Sequence, residues 1–93
     1  MAVTSLQITI SGKTQVSTTK LLARWVSFQN NDSANMRVAD TNVSSTRGIL
    51  MTPGGGFYSP PTSDVSQVHD LSQWFIAGTD AEKLDVVFDK VGS

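Results

Sequence analysis

The chain has 93 residues, with seven Lys and Arg, eight Asp and Glu and no cysteine. That is enough for one domain with a modest core burying roughly 60–65% of the unfolded surface, and too little for a cleft closed between two domains. A disulfide framework, a thiolate metal site and a cysteine nucleophile are excluded, and a net charge of −1 gives no overall pull toward nucleic acid or membrane.

In chain order, Val3 to Ile10 sets Leu6, Ile8 and Ile10 against Ser5, Gln7 and Thr9, the period-2 alternation of a half-buried strand. Ser11-Gly12-Lys13 turns the chain. Thr14 to Thr19 has Val16 as its one aliphatic anchor and reads as an edge strand. Lys20 to Arg24 has slight helical character, too short to stand alone. Arg24 to Asn30 reads as the strongest central strand, with Val26 and Phe28 on one face and Trp25, Ser27 and Gln29 on the other. Asn30 to Ser33 is a turn by composition, because Asn and Asp tolerate left-handed backbone angles and hydrogen-bond their own amides. Met36 and Val38 re-enter the core with Arg37 pointing outward. The unbroken apolar run Ile49 to Met51 predicts a strand covered on both faces, one of them open to a second subunit.

Thr52-Pro53-Gly54-Gly55-Gly56 breaks the sheet and Ser59-Pro60-Pro61-Thr62 breaks it again, leaving Phe57 and Tyr58 as an aromatic island within a Pro/Gly-rich loop over 53–63. Asp64 to Asp70 reads as strand or irregular. Trp74 and Ile76 share a face opposite Phe75 and Ala77 in a further strand, ended by Gly78-Thr79-Asp80. Leu84, Val86 and Phe88 alternate with Asp85, Val87 and Asp89 in a final one. Eight or so short strands and little or no helix predict an all-β, single-domain β-sandwich or jelly roll over residues 1–93, with residues 1–5 as a candidate N-terminal arm. Ser and Thr number 22, a hydroxyl-rich surface that suits strands and turns.

Charge is unevenly placed. Residues 1–50 carry Lys13, Lys20, Arg24, Arg37 and Arg47 against Asp32 and Asp40; residues 51–93 carry Lys83 and Lys90 against Asp64, Asp70, Asp80, Glu82, Asp85 and Asp89. This is ordinary solvated charge, or else a means for unlike faces of neighbouring copies to attract. No apolar run reaches a membrane span and no basic start leads an apolar signal core. The expectation is a soluble protein made and kept in the cytoplasm of its producing cell.

No catalytic residue, cofactor or metal site is predicted. His69 is the one histidine and has no Gly-x-Ser-x-Gly serine to activate. Asp64 with Asp70, and Asp80 with Glu82 and Asp85, lack the spacing and fixed glycine of a calcium loop. Gly54-Gly55-Gly56 lacks the Lys-Ser or Lys-Thr of a phosphate cradle and reads as a flexible corner. The aromatic residues carry more information. Trp25 and Phe75 lie opposite the apolar partners in their own strands, so each is either second-layer core or a contact; Phe57 and Tyr58, in a loop, are the stronger contact candidates.

One pattern goes beyond composition. Asn35-x-x-Val38-x-Asp40-x-x-Val43-Ser44-x-Thr46-x-Gly48-Ile49-x-Met51-x-Pro53-Gly54-Gly55, followed by Asp70-Leu71-x-x-Trp74-x-Ile76-Ala77-Gly78-Thr79 and Leu84-Asp85-Val86-Val87-Phe88, resembles small β-sandwich head proteins of tailed bacteriophages. The likeness spans about residues 23–91, and its motifs are turn and strand punctuation rather than chemistry. Two departures stand out: Ala39 stands where Gly is preferred before Asp40, and the later turn, Gly78-Thr79-Asp80-Ala81-Glu82-Lys83, lacks its second Gly. The departures are expected to change local backbone geometry rather than fold.

The resemblance implies a virion structural protein at the capsid surface, a decoration or cement protein bound to the major capsid protein. It also implies a homo-oligomer, trimer or dimer, and no nucleic-acid or membrane partner. The alternatives are a tail or spike sandwich that binds carbohydrate through Trp25, Phe57, Tyr58 and Trp74, or a component of the head-tail junction.

Overall fold

The computed structural model describes residues 2–61 and 67–91. Its strands are β1 (Ala2–Thr9), β2 (Thr14–Gln15), β3 (Leu22–Asn30), β4 (Met36–Ala39), β5 (Ile49–Met51), β6 (Gly56–Tyr58), β7 (His69–Asp70), β8 (Phe75–Gly78) and β9 (Lys83–Lys90), with a 3-10 turn at Leu71–Gln73. They form two antiparallel sheets. The first runs β1-β9-β3-β6, with β7 also paired to β3; the second runs β2-β8-β4-β5.

The alternating positions decide which way each sheet faces. Leu84, Val86 and Phe88 of β9 lie in register with Ile8, Leu6 and Thr4 of β1 on one side. On the other side Val86 and Phe88 meet Phe28 and Val26 of β3. From the second sheet Met36, Val38, Met51 and Ile76 close the same core, joined by Ile10, Val16 and Leu71 from the connections. Full burial of a side chain such as Phe28 or Phe88 stabilises by about 1.5–3 kcal/mol. Gly78 sits on the inner face, where a Cβ would stand 2.9 Å from Ile10 Cδ1; its bareness lets Ile10 cross between the layers.

Among the described strands that are consecutive in the chain, only β4 and β5 pair. The longest ladder joins the two ends of the sequence, from Ala2 opposite Lys90 to Thr9 opposite Lys83. Residues 2–5, expected as a free arm, are therefore the first half of a strand: the alternation that begins at Val3 continues a ladder with β9. Lys20 to Arg24 forms no helix; β3 starts at Leu22, because Ala23 is buried opposite His69 and Lys90.

Two further expectations are corrected. Within one chain the run Ile49 to Met51 is not covered on both faces, since it lies at the edge of the second sheet with Met51 buried and Ile49 and Leu50 exposed. Residues 53–63 are not wholly loop either, because Gly56–Tyr58 pairs with β3. The glycine corner before it is pinned: Gly54 and Gly55 take positive φ, and their N–H groups donate to Asp32 O at 3.3 Å and Asn30 O at 2.8 Å. The first three residues of the segment read as strand or irregular, Asp64, Val65 and Ser66, lie outside the described residues; Gln67 and Val68 are irregular and the last two residues form β7.

Candidate contact face

Four of the seven large hydrophobic residues exposed among those described, Val3, Trp25, Phe57 and Val87, lie on the outer face of the first sheet. Strand register places Gln7, Asp85, Gln29 and Phe57 in one row across β1, β9, β3 and β6. The next row holds Ser5, Val87 and Ser27. Beyond it the β3–β9 register shifts, because Ala23 faces Lys90 while Val26 faces Phe88. Arg24 and Trp25 thus stand together opposite Asp89, with Val3 on its other side. This is a β-bulge, which lets two consecutive large side chains face outward. Asp89 is fully buried among them.

Polar bonds order the first row. The Asn31 amide donates to Asp85 Oδ2 at 2.8 Å and to Gln29 Oε1 at 3.3 Å. The Gln7 amide donates to Asp85 Oδ1 at 3.1 Å, and the Gln29 amide donates to Gly55 O at 3.1 Å. Together with Val87 they line a shallow groove of about 540 Å³. Phe57 rises at its margin, 67% exposed. Trp25 is 38% exposed and stands four positions along β3 from Phe57's partner Gln29, roughly 14 Å from Phe57 at ordinary strand spacings.

The four aromatic candidates do not converge. Trp25 and Phe57 share this face. Tyr58 points inward, in register with Phe28 and 6.2 Å between ring centroids from Trp74, which is itself 5.5 Å from Phe28. Tyr58 is thus not a loop contact, because β6 pairing turns alternate side chains to opposite faces. Phe75 lies on the outer side of the other sheet, half-buried, with the Lys13 ammonium 5.9 Å from its ring centroid.

That second outer face is smaller and more basic. Arg37 donates to Ser45 O at 3.1 Å and Gly48 O at 3.0 Å, tying the 40–48 loop against β4 beside exposed Leu50. A groove of about 340 Å³ runs past Arg37, Leu50 and Ala77. Gly48 is required in that loop: its φ is +126°, and an added Cβ would lie 3.0 Å from Val43 Cγ2 and 3.1 Å from Val38 O.

Acidic side chains mostly serve the backbone. Glu82 Oε1 accepts from the N–H groups of Ser33 and Ala34 at 3.0 and 2.8 Å. Asp32 Oδ2 accepts from Lys83 N–H at 2.9 Å, and that bond is the chief cause holding the Asp32 carboxyl below its ordinary range. Asp70 is lowered mainly by the Ser72 hydroxyl, then by the Ser72 N–H, both bonded to its Oδ1.

Among the described residues no three His, Asp or Glu side chains gather to hold a metal ion, and no helix is long and apolar enough to cross a membrane. His69, the sole imidazole, is buried in β7. What this surface offers is rings, methyls and amides for contact. The bulge and the Asn31 link were invisible to simple alternation; the Asn-Asn-Asp turn was the one signal near them. No family model matches the chain, and neither does any curated protein or solved structure.

Proposed function

We propose that this chain is a virion structural protein of a tailed bacteriophage, a decoration protein that docks on the major capsid protein through the outer face of its first sheet and stabilises the head. The observation that supports this most is the placement of Trp25, Phe57, Val87 and Val3, all exposed, on one sheet face among mostly uncharged polar residues. Exposed rings beside amides suit a protein contact, where aromatic side chains bury much area for little entropy. The strand and turn motifs of residues 35–55 and 70–88, which resemble phage head proteins, supply the kind of lattice. On such a lattice each contact can be weak while repetition makes the sum large. A protein that binds only the mature shell stabilises it by mass action.

The test is to prepare virions with and without this gene and compare copy number and resistance of the head to heat and osmotic shock. Hundreds of copies per virion, and heads that fail earlier without them, are expected. A handful of copies would assign the chain to tail or junction instead, and heads of unchanged stability would remove the cementing role.

A second reading, a glycan-binding sandwich, draws on Phe57 standing beside Gln29, with Asp85 one strand further along the same row, since a ring beside an amide suits a sugar. Its platform is reduced to Phe57 and Trp25, because Tyr58 and Trp74 pack inward. A glycan array with no saturable binder removes it.

A further inference from the structure

We propose that β1 pairs antiparallel with β1 of a second copy about a two-fold axis at Leu6, joining the two first sheets into one. The inference stands independently of what the outer face binds.

The backbone pattern shows which groups of β1 are open. Ile10 donates its N–H to Glu82 O at 2.8 Å, and its carbonyl accepts from Ala81 N–H at 2.9 Å, so Ile10 faces the β9 side. Hydrogen-bonding direction alternates along a strand. Ile8, Leu6 and Thr4 therefore address β9, while Val3, Ser5, Gln7 and Thr9 direct their N–H and C=O groups away from it. On that side β1 has no strand neighbour among the described residues.

This edge differs from the others. β2, β5, β6 and β7 are two or three residues long, and Pro residues follow β5 and β6. β1 has eight residues, without charge, Pro, Gly or bulge, the devices that normally keep a sheet edge from pairing. Its inward row is also unfinished, since Leu6 and Ile8 pack on the core but are only partly buried.

The sequence of β1 suits a copy of itself. A two-fold axis at Leu6 sets Leu6 against Leu6, Thr4 against Ile8, Ser5 against Gln7 and Val3 against Thr9. That register gives every outward N–H and C=O of Val3, Ser5, Gln7 and Thr9 a partner and covers both half-buried aliphatic side chains. A one-residue shift of the partner strand would turn its apolar row to the wrong face. A charge on β1 would stand near its own copy across the axis, and β1 carries none. The joined sheet would run β6-β3-β9-β1-β1-β9-β3-β6 and present two copies of the Trp25/Phe57 face side by side.

Sedimentation equilibrium of the purified chain at tens of micromolar tests this. The expected mass is twice the 10.0 kDa of the chain. Ser5→Lys with Gln7→Lys sets like charges opposite each other and is expected to abolish the dimer. Ser5→Glu with Gln7→Lys sets unlike charges opposite each other, leaves the introduced ammonium beside Asp85, and is expected to retain it. Leu6→Cys reads the same contact without charging the strand: the chain has no other cysteine, so an oxidised dimer reports Leu6 meeting its own copy, whereas Ile8→Cys, facing Thr4, is expected not to cross-link. A monomer or trimer in solution, a dimer that survives the double lysine variant, or a dimer in which Leu6→Cys stays reduced under oxidant would overturn the proposal.

Discussion

Asn30 and Asn31 are neighbours of identical chemistry, and replacing each with Ala separates buried from exposed hydrogen bonding at the turn that supports the contact face. Asn30 is fully buried at the end of β3. Its Nδ2 donates to Ala34 O at 2.7 Å and Met51 O at 2.9 Å, and its Oδ1 accepts from Asp32 N–H at 3.0 Å. One side chain thereby ties β3, the following turn and β5 together. Asn30→Ala removes three bonds and leaves buried backbone groups to find water; at about 1 kcal/mol each, the loss is about 3 kcal/mol. Asn31→Ala removes only exposed bonds to Asp85 and Gln29 and costs about 0.5 kcal/mol. With a urea slope of about 1–1.5 kcal/mol/M, the unfolding midpoint should fall by about 2–3 M for Asn30→Ala and by under about 0.5 M for Asn31→Ala. Equal shifts for the two variants, or an Asn30→Ala midpoint within about 0.5 M of the parent, would refute the reasoning.

Three other outcomes follow from the same geometry. Phe28→Ala, which empties the core beside Trp74, should cost about 3–5 kcal/mol, whereas Phe57→Ser should stay within about 0.5 kcal/mol by the same denaturation assay. Ala81 takes a φ of 72°, a left-handed conformation in which a Cβ is strained by about 1–2 kcal/mol; after the entropy Gly adds to the unfolded chain, Ala81→Gly should stabilise by about 0.5–1 kcal/mol. Asp70 has its carboxyl lowered from 3.8 by its Ser72 and Leu21 bonds, so its stabilisation is fully present above that value and lost as pH falls through the folded one. Thermal melts taken from pH 5 down to pH 2 should therefore drop less steeply for Asp70→Asn than for the parent, and an unchanged slope would count against it.

Much of the layer structure was legible because burial obeys alternation: Val26 with Phe28, Met36 with Val38, and Leu84 with Val86 and Phe88 all face the core. Pairing was not legible, since β1 finds β9 across nearly the whole chain and nothing local encodes that partner. The same non-local pairing turned residues 2–5 from an expected arm into strand. Of the aromatic candidates, Phe57 was placed outward for the wrong reason: a strand, rather than a loop, exposes it, and the next residue, Tyr58, is for that reason inside. Trp25 lies outward as the alternation along Arg24 to Asn30 placed it, whereas Arg24 beside it depends on a bulge whose only trace is a mismatch between two distant strands. The turn Gly78 to Lys83 was read as short of a second glycine without a position for it; in the structure Ala81 holds the left-handed angle there, a strained alanine where glycine would be at ease.

The most direct test of docking through the first sheet is co-sedimentation of the purified chain with expanded heads assembled from the major capsid protein of the same genome. The account predicts saturable binding by the parent chain, at least a tenfold loss of affinity for Trp25→Ser with Phe57→Ser, equivalent to about 1.4 kcal/mol, and near-parental binding for Leu50→Ser on the opposite sheet. Parental binding by the Trp25/Phe57 variant, or an equal loss in Leu50→Ser, would contradict it.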